Sequence, residues 1–203
     1  MTRVKICGIT NCDDSQLACQ SGADAIGLVF YAPSPRYVSI EQAVEVMASL
    51  PPFVTSVALF VNAEPMYIEQ VLDQVAIDVL QFHGDEPAEF CASFKRPYLK
   101  AIRMKEGLDL YAVQDDYADA QGLLLDTYKK GVPGGTGEAF NWDKVPRDLD
   151  VPVILAGGLE PGNIARAINQ VNPYGVDVSG GVEASRGKKD PDKIIRFMAA
   201  VRG

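Results

Sequence analysis

Val153-Ile-Leu-Ala-Gly-Gly-Leu-Glu-Pro-Gly-Asn-Ile-Ala-Arg-Ala-Ile-Asn-Gln-Val-Asn-Pro-Tyr-Gly-Val-Asp-Val-Ser-Gly-Gly181 is the stretch that decides the fold. It opens on a short apolar run (153–156), turns through two glycines, crosses an amphipathic segment (163–169) and closes on a second short run (175–179) that again ends in two glycines. A strand that is apolar at nearly every position is covered on both faces, as in a parallel sheet. Parallel strands cannot be joined by a tight hairpin, so the amphipathic segment between them reads as a crossover helix. Working outward, the same unit recurs along the chain. Strands are predicted at 4–7, 25–30, 55–61, 79–83, 98–102 and 122–126 ahead of the two already quoted, and helices at 12–20, 40–50, 65–75, 87–94, 108–117, 142–145, 163–169 and 191–201. Helix starts are marked by Asn11 and Asp13, by Ser39 with Gln42 three residues on, and by Asp190 before Pro191. Eight strands in 203 residues repeat about every 25 residues, which suits an α/β, single-domain (β/α)8 TIM barrel spanning 1–203. A doubly wound open sheet would leave two edges and usually has fewer strands. No linker, low-complexity segment or second domain interrupts the pattern.

Composition limits the partners. With 19 Lys+Arg against 27 Asp+Glu the formal charge is −8, a sign that repels nucleic-acid backbones and anionic membrane surfaces, so any anionic ligand has to meet a local positive site. No apolar run approaches the roughly 18 residues of a membrane span, and MTRVKICGIT at the start lacks a signal-peptide apolar region, which predicts a cytoplasmic protein. Cys7, Cys12, Cys19 and Cys91 form no CxxC pair and stand beside a single His83, so they are expected as reduced thiols, with neither a disulfide framework nor a metal site. Two glycine-rich stretches fail as nucleotide signatures. Residues 131–137 lack the Lys-Ser/Thr ending of a P-loop, residues 181–189 have the wrong glycine spacing, and no GxGxxG follows a strand.

In a barrel the chemistry sits at the carboxyl ends of the strands. The polar residues closing the predicted runs are Cys7, Arg36 (in the loop after the second strand), Gln81 with His83, Asp126, and Asp177 with Ser179. A period of two puts Lys5 and Cys7 on one face of the first strand, Leu124 and Asp126 on one face of the sixth, and Asp177 and Ser179 on one face of the eighth. Each also has a plainer reading: Cys7 as a small core residue, Asp126 as a turn cap, His83 as a hydrogen-bonded structural group and Arg36 as a surface cation. Gly157-Gly158 and Gly180-Gly181 either bring backbone N–H groups to an oxyanion, as the loops after strands seven and eight do in many barrels, or simply turn the chain. The loop 127–140, with Gly134-Gly135-Thr136-Gly137 at its centre, is long for a strand-to-helix connection and suggests a cover over the mouth. Lys5 lies two residues before Cys7, roughly 7 Å by strand rise, and is expected to favour the thiolate, with Asp177 opposing it.

The matching stretches identify a resemblance. Val4-Lys-Ile-Cys7-Gly-Ile-Thr10, Tyr31-Ala-Pro-Ser-Pro-Arg36-Tyr-Val38, Leu80-Gln-Phe-His83-Gly84, Leu124-Leu-Asp126 with Gly134-Gly-Thr-Gly137, Leu155-Ala-Gly-Gly158-Leu and Val176-Asp-Val-Ser-Gly-Gly-Val-Glu183 resemble, in order, the motifs of the phosphoribosylanthranilate isomerase family. The resemblance implies an Amadori rearrangement of an anthranilate-bearing phosphosugar without cofactor or metal. It implies Asp126 as general acid, Cys7 as general base and Arg36 as partner of the anthranilate carboxylate, with Gln81, His83 and Asp177 as further substrate contacts. Gly157, Gly158, Ser179, Gly180 and Gly181 are implied to hold the phosphate, and the small-molecule phosphosugar is then the one expected partner of a monomeric enzyme. Gly180 departs from the family pattern, where a second serine is expected, and this puts one hydroxyl contact to phosphate in doubt. Histidine-pathway isomerases and indole-glycerol-phosphate synthases are neighbouring readings. The former typically use two aspartates on half-barrel repeats and the latter lysine and glutamate, whereas the first strand here ends in Cys7. A catalytically silent phosphate-binding barrel is disfavoured by the presence of both Cys7 and Asp126.

Overall fold

The structure, a computed structural model, describes residues 1–127 and 140–203. Eight parallel strands close into a barrel in strict chain order: β1 (Arg3–Cys7), β2 (Ala25–Val29), β3 (Thr55–Phe60), β4 (Val79–Phe82), β5 (Tyr98–Met104), β6 (Gly122–Thr127), β7 (Val153–Leu155) and β8 (Gly175–Val178). Around them run α1 (Cys12–Gln20), α2 (Ile40–Ala48), α3 (Pro65–Gln74), α4 (Ala88–Ser93), α5 (Leu110–Asp116), α6 (Ile164–Val171) and α7 (Pro191–Arg202). The start signals act as expected of them: Asn11 accepts from Asp14 N, Ser39 and Gln42 form a reciprocal capping box, and Asp190 accepts from Lys193 N ahead of Pro191.

Alternation sorts the strand side chains. Ile6, Ile26, Leu28, Phe60, Phe82, Leu123, Leu125, Val176 and Val178 face outward into one apolar layer shared with helix residues such as Ile164, Ile194 and Phe197. Inside the barrel, Leu99, Ala101, Leu124, Ile154 and Ala156 pack together on the β5–β7 side, while Cys7, Val29 and Leu59 form a separate apolar patch on the β1–β3 side. Polar side chains fill the space between them.

Three features differ from the sequence expectations. The sixth crossover is a single 3-10 turn, Trp142–Lys144, and not a helix over 142–145. Pro146 follows Val145, and the residue before a proline is driven out of the α region; Val145 sits at φ −89°, ψ 113°. Next, β5 runs on to Met104, which carries Arg103 to a position in register with Asp126. Finally, the chain after β8 turns through a second 3-10 segment, Gly180–Val182, into a small antiparallel hairpin, β9 (Glu183–Ser185) and β10 (Lys188–Lys189), that the apolar-run pattern did not predict. Thr10 Oγ1 ties this hairpin to the end of β1 by donating to Gly187 O at 2.8 Å. The glycines 134, 135 and 137 of the predicted cover lie outside the described residues.

Candidate active site

One cavity of about 670 Å³ opens at the carboxyl ends of the strands. Cys7, Arg36, His83, Asp126, Asp177, Ser179 and the glycines 157, 158, 180 and 181 all line it. Gln81 does not. It lies beneath His83, fully buried, with Nε2 2.9 Å from His83 Nδ1. With the amide donating there, Nδ1 is the acceptor and the imidazole proton sits on Nε2, 3.0 Å from Asp126 Oδ2. The other carboxylate oxygen, Oδ1, accepts from Thr127 N at 2.8 Å. Asp126 thus combines the two readings open to it: it caps the end of β6 through one oxygen and faces the mouth.

Lys5 lies in register with Asp177 and donates to its Oδ1 at 2.9 Å, a buried ion pair just below the mouth. Burial works against the Lys5 ammonium, but Asp177 and Cys7 outweigh it and raise its pKa. For Cys7 the balance falls the other way. Burial is the largest influence and pushes the thiol above its ordinary value, Lys5 and Lys189 pull it down, and Asp177 pushes it further up. Lys5 lowers the thiol and Asp177 opposes it, as the strand spacing suggested, but burial outweighs Lys5, so the thiol is not held low in the free enzyme.

Arg36 reaches across the end of β1 to Glu183, with Nε 2.7 Å from Oε1 and Nη2 2.8 Å from Oε2. It remains on the cavity wall, next to an apolar side made by Val29, Tyr31, Leu59 and Val61. The opposite side is backbone. A Cβ built at Gly157 would stand 2.3 Å from Thr127 Oγ1 and 2.7 Å from Asp126 Oδ1, and one at Gly181 would stand 1.9 Å from Leu159 O. Close packing therefore demands glycine at both positions whatever they bind. Gly180 is different, since its Cβ would meet only Arg36 Nη2, at 3.2 Å. Ser179 Oγ is buried and has no partner among the described protein groups.

Three contributors to the site escaped the sequence reading. A Cβ on Gly27, paired with Cys7 in the β1–β2 register, would fall 2.8 Å from Cys7 Sγ and 3.0 Å from Lys5 Nζ, so this glycine makes room for both. A glycine inside a strand is the signal that could have found it. Arg103 donates through Nη2 to His83 O at 3.0 Å. Lys189 is buried beside Glu183 with nothing in the sequence to separate it from Lys188, which is exposed. Among the described residues no group of three or more His, Cys, Asp or Glu is placed to hold a metal ion, and no helix is long and apolar enough to cross a membrane.

Comparison with known proteins agrees with this geometry. The family model for N-(5'-phosphoribosyl)anthranilate (PRA) isomerase matches residues 4–200. An N-(5'-phosphoribosyl)anthranilate isomerase of Pseudomonas syringae pv. syringae is 59% identical over 201 residues, covering 99% of this chain and 98% of its own. A phosphoribosyl anthranilate isomerase from Thermotoga maritima superposes with a TM-score of 0.92 at 42% identity, with both chains covered in full. Another, solved in complex with reduced 1-(o-carboxyphenylamino)-1-deoxyribulose 5-phosphate, gives 0.89 at 41% identity, again over both full chains.

Proposed function

Because the chain belongs to the N-(5'-phosphoribosyl)anthranilate isomerase family, we propose how its mouth performs the reaction it catalyses, the Amadori rearrangement of N-(5'-phosphoribosyl)anthranilate to 1-(2-carboxyphenylamino)-1-deoxyribulose 5-phosphate in tryptophan biosynthesis. Asp126 is the general acid. Its protonated carboxyl donates to the furanose ring oxygen, the bond from C1 to that oxygen breaks, and the nitrogen lone pair closes a C1=N iminium. The carboxyl takes that proton from solvent at the open mouth, and His83, hydrogen-bonded to Asp126 Oδ2, holds it in place for the transfer. Cys7 is the general base. Its thiolate takes the C2 proton, and the electrons move into C1=C2 and quench the iminium as an enolamine. Protonation at C1 with loss of the O2 proton then gives the ketone.

Binding divides along the same cavity. The anthranilate ring lies on the apolar side of Val29, Tyr31, Leu59 and Val61, with its carboxylate at Arg36. The 5'-phosphate meets the backbone N–H groups of Gly157, Gly158, Gly180 and Gly181 and the unpaired Ser179 hydroxyl. Gln81 orients His83 and makes no contact with the substrate, while Asp177 contacts it only while paired to Lys5. The observation that carries this reading is that Cys7 and Asp126 open onto one cavity, between a guanidinium and two glycine pairs. Generating phosphoribosylanthranilate in place and following the loss of its fluorescence on adding the protein tests it. An unchanged signal overturns it.

The same proposal takes residues 1–203 as one catalytic domain acting in the cytoplasm, with its four thiols reduced and no cofactor. It also takes the active species as a monomer. Sedimentation at twice the chain mass would overturn the monomer.

A further inference from the structure

Behind Arg36 lies a second cation that does not reach the cavity. Lys189, on β10, has 0% of its side chain exposed. Its Nζ lies 2.6 Å from Cys7 O, 3.1 Å from Glu183 Oε1 and 3.3 Å from Ser179 O. A neutral amine has only two N–H bonds, so three acceptors call for the ammonium form. Burial draws the lysine below its usual pKa, and Glu183 works against that shift.

Glu183 is shared. Oε1 accepts from both Arg36 Nε and Lys189 Nζ, and Oε2 accepts from Arg36 Nη2. One carboxylate between two cations leaves a net charge of about +1 on the triad, whereas Arg36 and Glu183 alone would form a neutral pair with only a dipolar field at the mouth. Among the described residues nothing else on the wall supplies the missing charge. Lys5 is spent on Asp177, and the exposed rim residues Glu160 and Arg186 carry opposite signs.

We propose that Lys189 is a positioning residue that gives the carboxylate subsite its charge: by neutralising Glu183 it leaves Arg36 oriented yet cationic, so the ring carboxylate is attracted by a lysine it never touches. The inference rests on Arg36 as the carboxylate's partner. It also makes Lys189 a clamp, because the same ammonium holds the carbonyls that end β1 and follow β8.

The test uses two ligands, the reduced product analogue with its ring carboxylate and the same molecule without it, titrated calorimetrically into the full chain. Lys189→Met is expected to weaken the carboxylate-bearing ligand about tenfold or more, the scale of one charge-assisted contact, and to leave the other unchanged. KM should rise correspondingly, and by more than kcat falls, since Lys189 also draws the Cys7 thiol down. Lys189→Gln, which keeps hydrogen-bond donors for the two carbonyls, should do the same and serves if the methionine variant does not fold. The double variant Glu183→Gln/Lys189→Met restores an uncompensated Arg36 and should recover most of the lost affinity, whereas a merely structural lysine predicts a double variant worse than the single one. Equal losses for both ligands, or no recovery in the double variant, overturn the proposal. If Arg36→Ala fails to distinguish the two ligands, it is the assignment of Arg36 that falls.

Discussion

In the proposed mechanism, Asp126 and Cys7 meet their tasks from opposite starting points. Asp126 accepts from Thr127 N through Oδ1 and meets His83 Nε2 through Oδ2, so both carboxyl oxygens are held in place at the mouth. Asp126→Asn keeps the shape and the acceptor for Thr127 N but cannot deliver a proton to the ring oxygen. Turnover is expected to fall on the order of 10² to 10⁴ with the circular dichroism of the barrel unchanged. Activity within a few fold of the parent removes Asp126 as the acid. Cys7 is held above its ordinary thiol pKa by burial, so in the free enzyme it is mostly protonated, and on the proposed mechanism the substrate's own iminium, aided by Lys5 and Lys189, makes it a base during turnover. This arrangement depends on space beside the sulfur. Gly27→Ala would set a methyl 2.8 Å from Cys7 Sγ and 3.0 Å from Lys5 Nζ. Relieving that clash should cost about 1–3 kcal/mol of stability and lower kcat more than it raises KM, because the sulfur moves and Arg36 does not. A Gly27→Ala enzyme with parental kcat would show that the sulfur has room to spare.

At the scale of elements, the barrel was legible because the strands read as short apolar runs, several with polar termini, and because α1, α2 and α7 announce their starts with capping residues. The places where sequence reading stopped have physical causes. A single turn at Trp142–Lys144 has the same local composition as a helix start, and only the clash imposed by Pro146 ends it. The hairpin of β9 and β10 is too short and too polar to register as strands, yet it carries Glu183 and Lys189 to Arg36. Gln81 was legible as polar but not as lying one layer down, because a period of two gives facing and not depth. Helix starts were readable, and one offers a check on stability separate from catalysis. Asp109 accepts from Tyr111 N at 2.9 Å and Ala112 N at 3.3 Å at the head of α5, and it is not among the cavity-lining residues. Asp109→Ala should cost about 1 kcal/mol, lowering Tm by about 2–4 °C, with kcat/KM unchanged. An unshifted melting curve would mean that the cap contributes nothing to α5.

For the whole molecule, the buried titratable groups set the pH range in which the barrel is stable, and the sign follows from which state holds more protons. Burial opposes the Glu183 carboxylate, but Arg36 and Lys189 outweigh it and hold its pKa below the usual value. Between that value and the unfolded one the unfolded chain binds more protons, so this contribution is present above about pH 4.5 and is lost as the pH falls through the folded pKa. The alkaline side is governed by groups buried in neutral form. Cys91 is fully buried and its thiol is pushed up to about 11, and burial also raises Cys7 and the phenols of Tyr67, Tyr98 and Tyr117. Here the folded chain holds protons that the unfolded chain has released. Stability is therefore complete below the unfolded thiol pKa of about 8.5 and declines as the pH rises through the folded values. The formal charge of −8 at pH 7 acts in the same direction, since each further deprotonation adds to self-repulsion. Urea unfolding at intervals from pH 8 to pH 11 should show a falling free energy, and Cys91→Ala, though less stable at pH 8 because it empties core volume, should lose less over that interval than the parent. Parallel declines in the two proteins would mean that the Cys91 thiol ionises as readily folded as unfolded, and the alkaline limit would then belong to Cys7 and the tyrosines.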